Sequence, residues 1–176
     1  MKILTHICCG PCGVVFSDGL RRDGFDSVML WHNPNIHPFT EYKSRKKSAI
    51  DFAAQDGYDI IIPDDEKYGL RYFLDSAYHN LEKRCEICYC MRLEYAAKYA
   101  ADAGFAAYST TLLASPYQDF DAICRIGKQA AKNYGINFVV QDYRAQYRPG
   151  LKTARKMGLY MQKYCGCLFS EEERYI

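Results

Sequence analysis

Short apolar runs alternate with amphipathic helical stretches along most of this chain, and that alternation restricts its fold more than any other feature. Lys2 to Ile7 reads as a strand, followed by a cysteine loop and a helix from Gly13 to Arg22. Ser27 to Trp31 reads as a second strand, ending in the turn His32-Asn33-Pro34-Asn35. The next helix is expected to be capped by Thr40 and stopped by Gly57, with Glu41 in its first turn and Tyr42, Ala49, Ile50 and Ala53 as its apolar stripe. Asp59 to Ile62, Ala106 to Thr111 and Asn137 to Val140 complete the strands. Further helices are expected around Glu86 to Ala103, closed by Gly104, and over Asp119 to Tyr134. Strands alternating with helices imply a parallel sheet covered on both faces, an α/β, Rossmann-like doubly wound fold. The 176 residues, 49% of them apolar, suffice for one hydrophobic core, and no Ser/Gly-rich linker divides them. Residues 1–176 are therefore expected to form a single domain with a cysteine-bearing C-terminal segment.

In such sheets ligands sit beyond the carboxyl ends of the strands. The chemically loaded segments follow strands at that end: the first cysteine loop, His32 to Asn35, Thr111 to Tyr117, and Asp142-Tyr143-Arg144. Eight of the nine cysteines fall into three tight groups: Cys8, Cys9 and Cys12; Cys85, Cys88 and Cys90; Cys165 and Cys167. Thiolates at this spacing select iron–sulfur clusters, zinc or copper(I). Eight thiols exceed the four that one zinc or one cubane cluster requires, which implies two metal centres or one centre beside reactive thiols. An adjacent pair such as Cys8-Cys9 rarely puts both sulfurs on one metal unless its loop is irregular, so the two can serve different centres. Cys85 and Cys88 are expected at the start of a helix, and Gly166 lets the backbone approach a bulky inorganic core. Cys124 shares a helical face with Phe120, Ile123, Gly127, Ala131 and Tyr134 and reads as a buried core thiol. His37, Asp18, Asp142 and nearby tyrosines are candidate proton donors, which spacing does not rank, and His79 reads as a surface residue.

A disulfide scaffold fits poorly with an odd number of cysteines in a chain of this length. No signal peptide is visible and no window approaches a membrane span, so a cytoplasmic protein away from membranes is expected. The formal net charge is only +2, but its distribution is uneven. Between Tyr143 and Phe169 stand Arg144, Arg148, Lys152, Arg155, Lys156 and Lys163 with no carboxylate, and Lys43, Arg45, Lys46 and Lys47 form a second basic run. Cations interleaved with Tyr143, Tyr147, Tyr160 and Tyr164 suit nucleic acid, whose phosphates pair with cations and whose unstacked bases lie on aromatic rings. The first loop lacks both the Gly-rich phosphate cradle and the Ser-Gly-Gly-x-Asp-Ser run of ATP pyrophosphatases.

Together these segments resemble the cobalamin-independent epoxyqueuosine reductases of tRNA queuosine biosynthesis, the QueH family. The resemblance lies in His6-Ile7-Cys8-Cys9-Gly10-Pro11-Cys12; Asn33-Pro34-Asn35-Ile36-His37-Pro38 with Glu41-Tyr42 and Arg45; and Cys85-Glu86-Ile87-Cys88 with Arg92-Leu93. It continues through Thr110 to Gln118, Asp142-Tyr143-Arg144 and Gln162-Lys163-Tyr164-Cys165-Gly166-Cys167. It implies a 4Fe–4S cluster with an adjacent mononuclear iron held by cysteines and an aspartate, and reduction of epoxyqueuosine at the tRNA wobble position to queuosine. Metal ligation is expected with it at Cys8, Cys9, Cys12, Cys85, Cys88, Cys165 and Cys167, and the residues expected to carry chemistry are Cys9, Cys12, His37 and Asp142. The tRNA-binding residues expected with it are Arg45, Arg144, Arg148, Lys152, Arg155 and Lys156. Family members can carry aspartate where this chain has Cys12, which makes the second site more sulfur-rich here or moves the carboxylate role elsewhere. Cys90 lies outside the family pattern. Without a flavin or nicotinamide fingerprint, electrons are expected from an external donor of the ferredoxin or flavodoxin type. The competing readings are a zinc-bearing tRNA-binding module and an iron–sulfur tRNA sulfurtransferase; the missing pyrophosphatase loop counts against the latter.

Overall fold

The computed structural model describes residues 1–176. Its five strands, β1 (Lys2–His6), β2 (Asp26–Leu30), β3 (Ile60–Ile61), β4 (Ala107–Thr110) and β5 (Asn137–Phe138), form one parallel sheet in the order β3-β2-β1-β4-β5. This is the expected α/β architecture. Seven helices accompany it: α1 (Gly10–Arg22), α2 (Phe39–Asp56), α3 (Leu70–Ala77), α4 (Arg84–Asp102), α5 (Phe120–Tyr134), α6 (Tyr147–Lys156) and α7 (Leu168–Tyr175). Helix α1 packs on α2 and α6, and α4 packs on α5. Along β2, Val28 and Leu30 join the core that contains Leu93 and Ala96 of α4, whereas Met29 and Trp31 join the cluster around Ala49 and Phe52 of α2. The strand thus feeds both layers through its alternating faces.

The order places β1 between β2 and β4, so successive connections depart to opposite sides of β1. The crevice at the carboxyl ends of β1 and β4 is the switch point at which ligands bind in sheets of this kind. Side chains stitch the two strand ends together: His6 Nδ1 pairs with Thr110 Oγ1 at 2.9 Å, and the Cys8 N–H donates to Thr111 Oγ1 at 3.1 Å.

Several boundaries depart from the sequence pattern for local reasons. Helix α1 starts three residues earlier than expected, at Gly10, so that Cys12 lies within the helix and not in a loop. Pro11 favours this, since proline is tolerated in a first turn. The early start needs a glycine: a Cβ on Gly10 would stand 2.5 Å from the Ser48 carbonyl oxygen of α2. Pro38, not Thr40, occupies the N-cap of α2, while Gly57 ends it at φ 73° as expected. Helix α5 is capped by Asp119, whose side chain accepts from the Ala122 N–H at 2.9 Å. Helices α3, α6 and α7 are additions that the sequence pattern does not predict.

Candidate active site and metal centre

Strand β1 ends at His6 and α1 begins at Gly10, so Cys8 and Cys9 occupy the turn between them. Cys9 is fully extended at the N-cap (φ −174°, ψ 162°) and makes no side-chain cap hydrogen bond. The sulfurs of Cys8, Cys9 and Cys12 all lie within 4.8 Å of one another and all three residues are buried. The vicinal pair therefore converges on one point, with 3.8 Å between its sulfurs, because its loop is the irregular kind that permits it. Hydrogen bonds from Cys12 and Cys9 hold the Cys8 thiol well below its ordinary range against the opposing effect of burial, with help from Arg92 and Thr111. Burial pushes Cys9 up, and hydrogen bonds with Cys8 and Cys9 push Cys12 up. Cys8 is thus the thiol of the trio that most readily loses its proton.

The second thiol group is assembled from α4 and the C-terminal segment. Cys85 and Cys88 stand one turn apart at the start of α4, so they share a face. Gly166, at φ 151°, gives the backbone between Cys165 and Cys167 a conformation side chains resist. Burial raises the Cys88 thiol to about 12, opposed by Arg92 and reinforced by the charges of Cys165, Cys167 and Cys85. Burial also raises Cys85, with Cys165 and Cys167 among the further causes. Charge interactions thus link Cys85 and Cys88 to Cys165 and Cys167. All nine cysteines are free thiols.

Between the two groups lies a cavity of about 340 Å³, walled by Cys8, Cys12 and Cys165 together with Arg45, Arg92 and Tyr147. Its volume falls in the range of small-ligand sites. Arg92 and Arg45 are each 2% exposed. Burial alone would lower their pKa; Cys88 and Cys8 outweigh it for Arg92, and Cys9 and Glu41 outweigh it for Arg45. The donor set fits a soft, sulfur-bound metal: buried clustered thiols, cationic compensation, and amide donors from Asn35, Gln118 and Gln162 aimed at sulfur.

Other expected site residues lie elsewhere. His37 is fully buried, packed against Tyr68 and Phe73, and neither ring nitrogen has a partner. Burial lowers its pKa to about 4, and its ring lies outside the cavity wall. Asp142 is exposed and forms a bidentate pair with Arg144 at 2.8 and 2.6 Å, again away from the cavity wall. Arg45, expected on a phosphate-facing surface, is instead internal: it pairs with Glu41 at 2.6 Å and donates to the carbonyls of Cys165 and Tyr164 at 2.7 and 2.8 Å. Arg148, Lys152, Arg155 and Lys156 are exposed on α6. Cys124 is only partly buried, packed at the edge of the core, and Cys90 is exposed. Sequence patterning alone gives no role to Arg92, Asn35, Gln118, Gln162 or Tyr117. For Arg92 the available signal is its position four residues after Cys88, one turn along the same helical face.

A family model described as "Epoxyqueuosine reductase QueH" matches residues 3–173. The chain belongs to the QueH family. Among its relatives is the epoxyqueuosine reductase QueH of Dehalococcoides mccartyi, 35% identical over 99% of this chain and 94% of that protein. The QueH protein of Thermotoga maritima is 33% identical over 98% of this chain and 91% of its own. Outside the QueH proteins, the fold resembles the crystal structure of a predicted subunit of tRNA methyltransferase from Methanocaldococcus jannaschii. That likeness has a TM-score of 0.55 at 13% identity, over 87% of this chain and 76% of that one, and speaks to the fold alone. No helix is long and apolar enough to cross a membrane.

Proposed function

We propose that this protein reduces epoxyqueuosine at the wobble position of tRNA to queuosine, as a cytoplasmic oxidoreductase fed by an external ferredoxin- or flavodoxin-type donor. The observation that carries the reading is one cavity walled by Cys8 and Cys12 of the first thiol group and Cys165 of the C-terminal segment, in a chain of the QueH family. Cys85, Cys88, Cys165 and Cys167 are suited to hold a 4Fe–4S cluster, and Cys8, Cys9 and Cys12 an adjacent mononuclear iron. Turning the epoxide into an alkene consumes two electrons and two protons and releases the oxygen as water. When bound, the iron centres supply the electrons singly and a Lewis acid for the epoxide oxygen.

The chain's own groups do the rest. Tyr117 is 82% exposed at the cavity, with its ring edge-on to Tyr147 at 5.8 Å, and offers a face for an unstacked base. Arg92 presents a buried guanidinium in the cavity wall, where it opposes negative charge on the substrate oxygen as the carbon–oxygen bond weakens. Burial, then the neighbouring thiols Cys12 and Cys9, hold the Tyr147 hydroxyl above its ordinary pKa, so it carries a proton at neutral pH. The exposed cations of α6 supply positive charge for pairing with tRNA phosphates.

Anaerobic reconstitution followed by single-turnover reaction with epoxyqueuosine-containing tRNA tests the proposal. Visible iron–sulfur absorption, more than four irons per chain and formation of queuosine are expected. A colourless zinc protein that binds tRNA without converting it would establish the binding-module reading instead.

A further inference from the structure

Three side-chain amides each reach a thiol, one for every stretch of chain that carries cysteine ligands. Asn35 Nδ2 donates to Cys88 Sγ at 3.1 Å, Gln118 Nε2 to Cys165 Sγ at 3.1 Å, and Gln162 Nε2 to Cys9 Sγ at 3.0 Å with Cys12 Sγ at 3.8 Å. No amide belongs to the same segment as its sulfur: Asn35 follows β2, Gln118 follows β4, and Gln162 precedes Cys165 but serves Cys9.

The two ends of a carboxamide have nearly the same shape, so its hydrogen-bond partners decide which end faces the sulfur. For Asn35 the decision is made by Arg92, whose Nε donates to Oδ1 at 2.6 Å. A guanidinium has no acceptor, so the amide nitrogen must point the other way, to Cys88. For Gln118 it is made by Tyr89. That hydroxyl accepts from the Asp119 N–H at 3.2 Å and places its own proton on Gln118 Oε1 at 2.9 Å, which leaves Nε2 for Cys165. Gln162 directs Nε2 to the sulfurs and buries Oε1 with no partner.

We infer that Asn35, Gln118 and Gln162 are positioning residues that set the reduction potential of the sulfur-held centres, a role that rests on the iron–sulfur reading above. Reduction puts negative charge on the ligand sulfurs, and an N–H aimed at sulfur stabilises that form more than the oxidised one. A purely architectural role, tying loops together, would leave the potential where it is.

The test uses the full-length reconstituted protein and potentiometric titration of its visible and paramagnetic signals. Gln118→Leu is the primary variant, because Gln118 lies on a partly exposed loop and its loss leaves the core intact. Asn35→Leu is the second. Gln129→Leu, an amide that bonds only Asn133 on the outer face of α5, is the control. We expect wild-type iron content in Gln118→Leu and a potential lower by about 59 mV, a tenfold change in a one-electron reduction constant. We also expect loss of an exchangeable-deuteron coupling to the reduced centre. Full iron content with a potential and coupling equal to those of the control would overturn the role. If wild-type protein takes up no iron, the failure lies in the metal reading and is seen before any variant is compared; the tuning role falls with it.

Discussion

Arg45 Nη1 donates to the carbonyl oxygen of Cys165 at 2.7 Å. Through this bond, and its companion at Tyr164, a buried cation of α2 fixes the backbone that carries the C-terminal thiols. Glu41 in turn holds Arg45 from within the same helix at 2.6 Å. Replacing Arg45 by Met should release the thiol segment and leave Glu41 buried without its partner. We expect a loss of about 3–5 kcal/mol in urea unfolding, with depleted iron after reconstitution. Unfolding midpoints and iron counts on the same preparation would check both effects.

Cys12 is the third thiol of the buried trio proposed to hold the mononuclear iron. Cys12→Ala should lose or loosen the mononuclear iron while the four-thiol cluster persists, and conversion of epoxyqueuosine should collapse. Cys12→Asp should recover part of both, because a carboxylate is also an anionic ligand. Iron counts, the cluster spectrum and single-turnover conversion on the three proteins give the comparison. Full activity in the alanine form would remove Cys12 from the ligand set.

Lys152, Arg155 and Lys156 are exposed on α6, away from the buried Ala154. Reversing all three charges should weaken tRNA binding and flatten its salt dependence, by roughly 0.7–0.9 in log–log slope for each phosphate no longer neutralised. The visible spectrum should be unchanged. Unaltered affinity across a salt series would mark α6 as a solvated face only.

His6 and His37 are both held neutral, at about 3 and about 4, by burial first in each case. Their folded pKa values lie below the ordinary 6.5, so below that pH the unfolded chain binds protons that the folded one refuses. Their contribution is whole above pH 6.5 and is lost as the pH falls toward these values. The metal-free protein should lose about 1.4 kcal/mol per pH unit per histidine in that window. His37→Leu should reduce the slope, since it removes one of the two buried rings. Urea titrations at several acidic pH values would measure it.

The sheet is legible in the sequence because β-branched and apolar runs alternate with helical stripes, and that pattern survives burial from both faces. Helix α6 is not, because Pro149 and Gly150 interrupt its pattern; there Gly150 is a packing choice, since a Cβ would stand 2.4 Å from Val15 Cγ2. The thiols are legible from spacing alone. Their partition into a trio and a quartet is not, because it depends on Cys12 entering α1 and on the C-terminal segment folding back against α2. The same folding back explains why patterning puts Arg45 on the surface. Its counter-charge Glu41 is visible one turn away, but the carbonyls that complete its shell come from residues 164 and 165. For Cys124 the helical wheel predicts full burial, whereas the residue lies at the margin of α5.

Cys8, Cys12 and Cys165, which wall one cavity, come from opposite ends of the chain, so the site closes only after every strand has taken its place. During synthesis the ribosome delivers Cys8, Cys9, Cys12, Cys85 and Cys88 well before Cys165 and Cys167. A nascent chain therefore carries several unprotected thiols with an incomplete set of ligands. Metal delivery that ran ahead of the last helices would meet a site able to misload, and oxidants would meet thiols that the finished fold buries. On the proposed function, the topology thus ties cofactor insertion to chain completion.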